Sequence, residues 1–123
     1  GIMPGWGLSQ KLSRLIGIGR AKELSFTGNY LSAEEAARWG LVNRVVPAAE
    51  LEKYTLDYAN TIVNNAPLTI AAVKRSIIEY LRNPEERDLA LCQKMVDACY
   101  TSADYKEGQT AFMEKRKPAF MGR

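Results

Sequence analysis

Three stretches of the 123-residue sequence carry groups that chemistry could use, and one residue type is missing from all of them. The first is the opening GIMPGWGLSQKL, in which Gly5 and Gly7 bracket Trp6 and lead into a helix. Backbone N–H groups at such a place can face an anion or a polar ligand atom, with the helix dipole behind them. A Pro-Gly step before a helix is also an ordinary turn, and the local pattern by itself favours the turn. The second stretch, GIGRAK at 17–22, looks like a phosphate loop but follows a helix rather than a strand and lacks the rest of either nucleotide fingerprint, so it is set aside. The third is the run Lys115, Arg116 and Lys117 behind Phe112, expected in the last turn of the final helix. Cations there suit the helix dipole whether or not anything binds. The same cations with an aromatic ring one turn back also suit the phosphates and base of a nucleotide. Composition leaves both readings open.

The missing type is histidine. Its absence removes the commonest general base, the Ser-His and Cys-His nucleophile pairs and most zinc sites, so no metal is expected. Cys92 and Cys99 stand seven apart in a helical stretch. About 10.5 Å of rise separates residues at that spacing, which is too far for a disulfide, and they read as small core residues of a reducing compartment. Tyr54, Tyr58, Tyr80, Tyr100 and Tyr105 fall on helical stripes and suit packing better than proton transfer. The pairs Glu34 with Glu35 and Glu85 with Glu86 lie in helix first turns, where capping and the dipole account for them. The net charge of +3, from 17 basic and 14 acidic side chains intermixed along the chain, is too mild for a general nucleic-acid binder. Apolar runs of a few residues rule out a membrane span, so neither nucleic acid nor membrane is an expected partner.

The elements that must hold these groups are mostly helices. Leu8, Leu12, Leu15 and Ile16 form the stripe of a half-buried helix that Gly17 ends, and a second helix is predicted from about Arg20 to Thr27, stopped by Gly28. SAEEAARWG gives Ser32 as N-cap, Glu35 three positions on and Gly40 as terminator. LVNRVV, closed by Pro47, is predicted as the one short strand. Four helices are predicted beyond it. One carries Leu51, Tyr58, Ala59, Ile62 and Val63, the next Ile70, Val73, Ile77 and Leu81, and the third Leu89, Cys92, Met95, Val96 and Cys99. Ser102 caps the last, which is predicted to run to Pro118. The fold class is therefore mainly α, five to seven helices and one short strand. A lone strand and a start inside a glycine-rich turn lead us to expect the back half of a larger enzyme.

In this order the chain resembles the C-terminal half of the enoyl-CoA hydratase/isomerase, or crotonase, superfamily. GIMPGWGLSQKLSRLIG is similar to its Pro-Gly-x-Gly segment and following helix. AKELSFTGNYLSAEEAARWGLVNRVVP is similar to its central block, and DYKEGQTAFMEKRKPAFMGR to its C-terminal helix. The resemblance implies the C-terminal portion of the α/β crotonase fold: residues 1–47 ending a spiral core, and residues 48–123 a helical trimerisation region. It also implies syn hydration of 2-enoyl-CoA thioesters by two glutamates, with two backbone N–H groups stabilising the oxyanion. Both glutamates and both donors fall outside the positions that this chain matches, so the chain alone is expected to be inactive.

Carried over residue by residue, Gly5 supplies an N–H to the catalytic water and Trp6 lines the acyl pocket, where many family members have a small residue. Phe112 and Lys115 reach the nucleotide of coenzyme A bound to a neighbouring subunit. The implied substrate is an enoyl-CoA or acyl-CoA, with coenzyme A as part of it and no permanently bound cofactor. The implied partners are the N-terminal half and further copies, as a trimer or a dimer of trimers, in a bacterial cytoplasm or an organelle matrix. Two alternatives stay open. One is another reaction of the superfamily, such as isomerisation, dehalogenation, decarboxylation or thioester hydrolysis. The other is a non-catalytic helical module that oligomerises or binds coenzyme A.

Overall fold

Glycines with left-handed backbones set the limits of the early helices in the computed structural model, which describes residues 8–123. The first helix, α1 (Leu8–Ile16), is followed at once by α2 (Ile18–Thr27), which closes on Gly28 at φ 63° with the glycine N–H donating to the Leu24 carbonyl. The next helix, α3 (Ala33–Trp39), begins where the Ser32 hydroxyl accepts the Glu35 N–H at 3.2 Å and lies 3.3 Å from the Glu35 carboxylate, to which it donates. It ends on Gly40 at φ 79°. Such a backbone is open to glycine without the Cβ clash that other residues meet. Among the described residues of this first unit, Gly1–Leu51, the buried apolar side chains are Ile16, Ala21 and Ala36, and the Arg20 guanidinium lies 5.2 Å from the centre of the Trp39 ring.

The strand predicted at 41–46 does not form. The Leu41 and Val42 N–H groups turn back to the Ala36 carbonyl at 2.8 and 3.4 Å, closing the helix end, and the chain then runs to Pro47 without regular structure. A strand exists only through the ladder it shares with a neighbour, and no strand forms among the described residues.

A 3-10 turn at Ala48–Glu50 leads into α4 (Leu51–Val63). The second unit, Glu52–Arg123, continues with α5 (Pro67–Tyr80), a 3-10 turn at Pro84–Glu86, α6 (Leu89–Thr101) and α7 (Ala103–Met113). The predicted apolar stripes of α4 and α5 are present but do not face a core. Leu51, Tyr58, Ile62 and Val63 of α4 are exposed, and so are Ile70, Val73, Ile77 and Leu81 on and just after α5. The face that α5 turns inward is instead Leu68, Ala72, Arg75, Ser76 and Glu79, spaced at helical intervals, with Ala72 and Glu79 buried and the other three half-buried. Among the described residues the buried apolar side chains are Ile16, Ala21, Ala36, Ala72 and Ala111, four of the five being alanine. No helix among these residues is long and apolar enough to cross a membrane.

The corner between α5 and α6 is held by charge. Glu79, 1% exposed, takes the Asp88 backbone N–H on Oε2 at 2.8 Å, and its Oε1 lies 2.7 Å from Arg75 and 3.4 Å from Arg82. The Arg75 contact is an ion pair by distance rather than a well-directed hydrogen bond, and Arg75 Nε is buried without an acceptor. Asp88 in turn caps α6 by accepting the Leu91 N–H at 2.8 Å. Arg87 lies over the Tyr80 ring, 5.5 Å from its centre, and donates to the Tyr80 and Arg82 carbonyls.

Candidate functional site

The final helix is built to receive the end of the chain. Ser102 starts it, accepting the Tyr105 N–H at 3.0 Å while its own hydroxyl donates to the Cys99 carbonyl at 2.6 Å. Asp104, 3% exposed in the first turn, accepts the N–H groups of Met121 and Gly122 at 2.7 and 2.8 Å, one on each carboxylate oxygen. The Asp104 N–H, one of the donors that a helix start leaves unpaired, goes to the Arg123 carbonyl at 3.1 Å. One turn further, Glu107 accepts the Ala119 N–H at 2.8 Å and a two-pronged hydrogen bond from Arg116 at 2.6 and 3.0 Å. Residues 117–123 therefore run back along α7, and Phe120 lies over Gly108, its ring 3.6 Å from where a β-carbon would stand.

The Arg116 fork and the Ala119 N–H favour the ionised form of Glu107 and hold its carboxyl at about 2, well below the usual carboxylate range. Arg116 is reciprocally held protonated by hydrogen bonds to Glu107 and Glu114.

The helix does not continue to Pro118 as its sequence suggests. It stops at Met113, and the chain reverses through Lys115, whose φ of 54° is the one left-handed backbone at a described residue other than glycine. The Lys115 N–H returns to the Phe112 carbonyl at 3.2 Å and the Arg116 N–H to the Ala111 carbonyl at 3.0 Å, the paired closure that glycine most often makes. The three consecutive cations are accordingly not equivalent and not helical. Arg116 is committed to Glu107 and Glu114, and it also donates to the Lys117 carbonyl at 3.2 Å. Lys115 and Lys117 have no carboxylate partner among the described residues.

Beside this turn lies a groove of about 700 Å3 between α5, α6 and α7, lined by Val73, Ile77, Val96, Tyr100, Tyr105 and Phe112 together with smaller and polar side chains. Tyr100 and Tyr105 meet edge to face, their rings 5.3 Å apart. Phe112 stands 83% exposed in the last turn of α7, three residues before Lys115. Phe112 and Lys115 thus share one helix end, as their spacing implies. Gly5 and Trp6 lie outside the described residues. No cluster of His, Cys, Asp or Glu suited to a metal ion occurs among the described residues.

Two carboxylates central to this architecture, Asp104 and Glu107, escape a reading of the residues one by one. Their only trace in the sequence is a pair of acids three apart in the first turns of a helix. Glu79 left a clearer sign, since arginines four before and three after it fall on its own side of the helix.

The sequence model of enoyl-CoA hydratase/isomerase matches residues 1–123, the whole chain. The chain belongs to this family. Among the curated relatives of this enoyl-CoA hydratase/isomerase family member, the short-chain-enoyl-CoA hydratase of Clostridium acetobutylicum is 43% identical over 117 residues, which is 95% of this chain and 45% of that protein. The methylmalonyl-CoA decarboxylase of Escherichia coli is 40% identical over 113 residues, 90% of this chain and 43% of that protein. The crystal structure of an enoyl-CoA hydratase from Mycobacterium tuberculosis superposes with a TM-score of 0.88 at 35% identity, covering all of this chain and 49% of that one. The chain spans about half the length of the relatives it matches.

Proposed function

We propose that the chain serves an enoyl-CoA hydratase as its C-terminal part, contributing the grip on coenzyme A and the faces on which the enzyme assembles, in the syn hydration of 2-enoyl-CoA thioesters. The observation that carries this reading is the backbone of Lys115. A left-handed conformation costs a residue with a β-carbon about 1 kcal/mol or more, and strain of that kind persists where a side chain has a task. Here it sets an ammonium without a carboxylate partner among the described residues three positions from an exposed phenylalanine. A phosphate-bearing nucleotide offers both what an ammonium takes and a flat base for the ring. Coenzyme A is such a ligand, and the hydratase relatives act on its esters.

In this reading the catalytic glutamates and the oxyanion N–H groups belong to the part of the family fold that these residues do not match. Gly5 supplies an N–H to the catalytic water, and Trp6 lines the acyl pocket. Residues 1–47 close the spiral core, and residues 48–123 make the trimer contacts. The exposed apolar stripes of α4 and α5 support the last assignment, because faces of that kind favour burial against protein. Decarboxylation is the second reading, favoured by the 40% identity to the Escherichia coli decarboxylase.

The test is kinetic and uses the full-length protein. With crotonyl-CoA, loss of the conjugated thioester absorbance reports hydration. Lys115→Ala should raise KM roughly tenfold with a smaller effect on turnover at saturation, the pattern of lost ground-state binding. An unchanged KM would remove Lys115 from the site. Release of carbon dioxide from a malonyl-type CoA ester, without hydration of crotonyl-CoA, would put the second reading first.

A further inference from the structure

Residues 114 and 116, on either side of Lys115, are tied to each other: Arg116 Nε donates to Glu114 at 2.6 Å, so an ion pair closes over the strained lysine. The same guanidinium is anchored at its other edge by both oxygens of Glu107, nine residues back on α7, and steadied by the Lys117 carbonyl. Four of the five N–H donors of Arg116 are therefore used inside the turn, Nη2 keeping one. An arginine spent in this way contributes geometry, since its planar fork fixes direction as well as distance.

We infer that Glu107 and Arg116 are positioning residues for Lys115: the pair holds the turn in its left-handed form and so keeps the lysine ammonium aimed at the phosphates of the nucleotide. This rests on the proposal that Lys115 binds coenzyme A. A free lysine side chain gives up much rotational freedom when it binds, and a backbone held in advance reduces that cost. Losing the pair lets residues 114–116 relax toward the ordinary right-handed region, and the ammonium leaves its station although no atom of it has been altered. A purely structural role for Glu107 would lie in the Ala119 N–H bond, which ties down the tail. Glutamine at 107 keeps a carbonyl oxygen for that N–H while removing the charge-assisted fork, so the two roles separate in one substitution.

The experiment measures binding of coenzyme A itself, by calorimetry, to the full-length protein and to Glu107→Gln, Lys115→Ala and the double variant. Glu107→Gln should weaken coenzyme A about fivefold, a coupling in the range found for residues sharing one network. In the Lys115→Ala background the same change should have no further effect. Wild-type affinity in Glu107→Gln, or an equal loss with and without Lys115, overturns the inference, because the pair would then act elsewhere or only on the tail. Wild-type affinity in Lys115→Ala overturns the underlying reading of the lysine instead, and the two failures are told apart by which single variant stays silent.

Discussion

Glu79 and Glu107 make the same pairing with arginine in two regions of one unit, and the two regions use it differently. At the α5–α6 corner the carboxylate is 1% exposed, its partners Arg75 and Arg82 come from its own helix or just past it, and its other oxygen takes the N–H that begins the next element. At the end of α7 the carboxylate side chain is one-quarter exposed, and its arginine lies nine residues along, beyond a reversed turn. The first arrangement joins two helices through a buried charge whose loss strands its partners. The second leaves the ion pair near water, where its energy is small and its directional constraint is what remains. Burial decides which of these a carboxylate–arginine pair supplies.

The contrast can be broken most strongly at Glu79. Glu79→Ala should lower the stability of the full-length protein by about 3 kcal/mol, since one partner of a buried pair is removed and the Asp88 N–H loses its acceptor. A urea titration measures it, and a loss under about 1 kcal/mol would mean that packing holds the corner without the charge. The opposite sign is expected at the other region. Lys115→Gly relieves the left-handed strain and should raise stability by up to about 1 kcal/mol while weakening coenzyme A binding, so that stability and affinity move in opposite directions. If both fell together, the left-handed turn would not be the source of strain.

The smallest effect concerns acid. Because the Glu107 carboxyl is held down from 4.5 to about 2, its contribution to stability is fully present above pH 4.5 and fades as pH falls toward 2. Glu107→Gln should flatten the pH dependence of the melting temperature within that window and leave it unchanged above. An identical acid profile in the variant would show that the ion pair does not form in solution.

How much of this was legible in the sequence depends on the range of the interaction. Helix limits at Gly28, Ser32, Gly40 and Ser102 are local matters of cap chemistry and can be read directly. The stripes of α4 and α5 are equally visible, but which face of a helix finds a neighbour depends on what else is present, and on α5 the face around Ala72 and Glu79 took that place. The predicted strand depended on a partner and did not form. At the candidate site, Phe112 and Lys115 stand together as their spacing implies. The clasp by Asp104 and Glu107 was hidden because most of the groups they hold are backbone N–H donors of the tail, which no residue type announces. The early end of α7 was hidden for a related reason: a lysine occupies a position where glycine would have signalled a stop.

Among the described residues the buried apolar side chains are alanines with one exception, which inverts the usual ranking of harmful substitutions. Ala111 is 1% exposed, so a longer side chain there would have to displace its neighbours. Trimming a bulky residue on the outer stripes removes little that is enclosed, whereas a single added ethyl group at Ala111 would press its neighbours apart. The tolerance of this chain to change is therefore set by its smallest side chains.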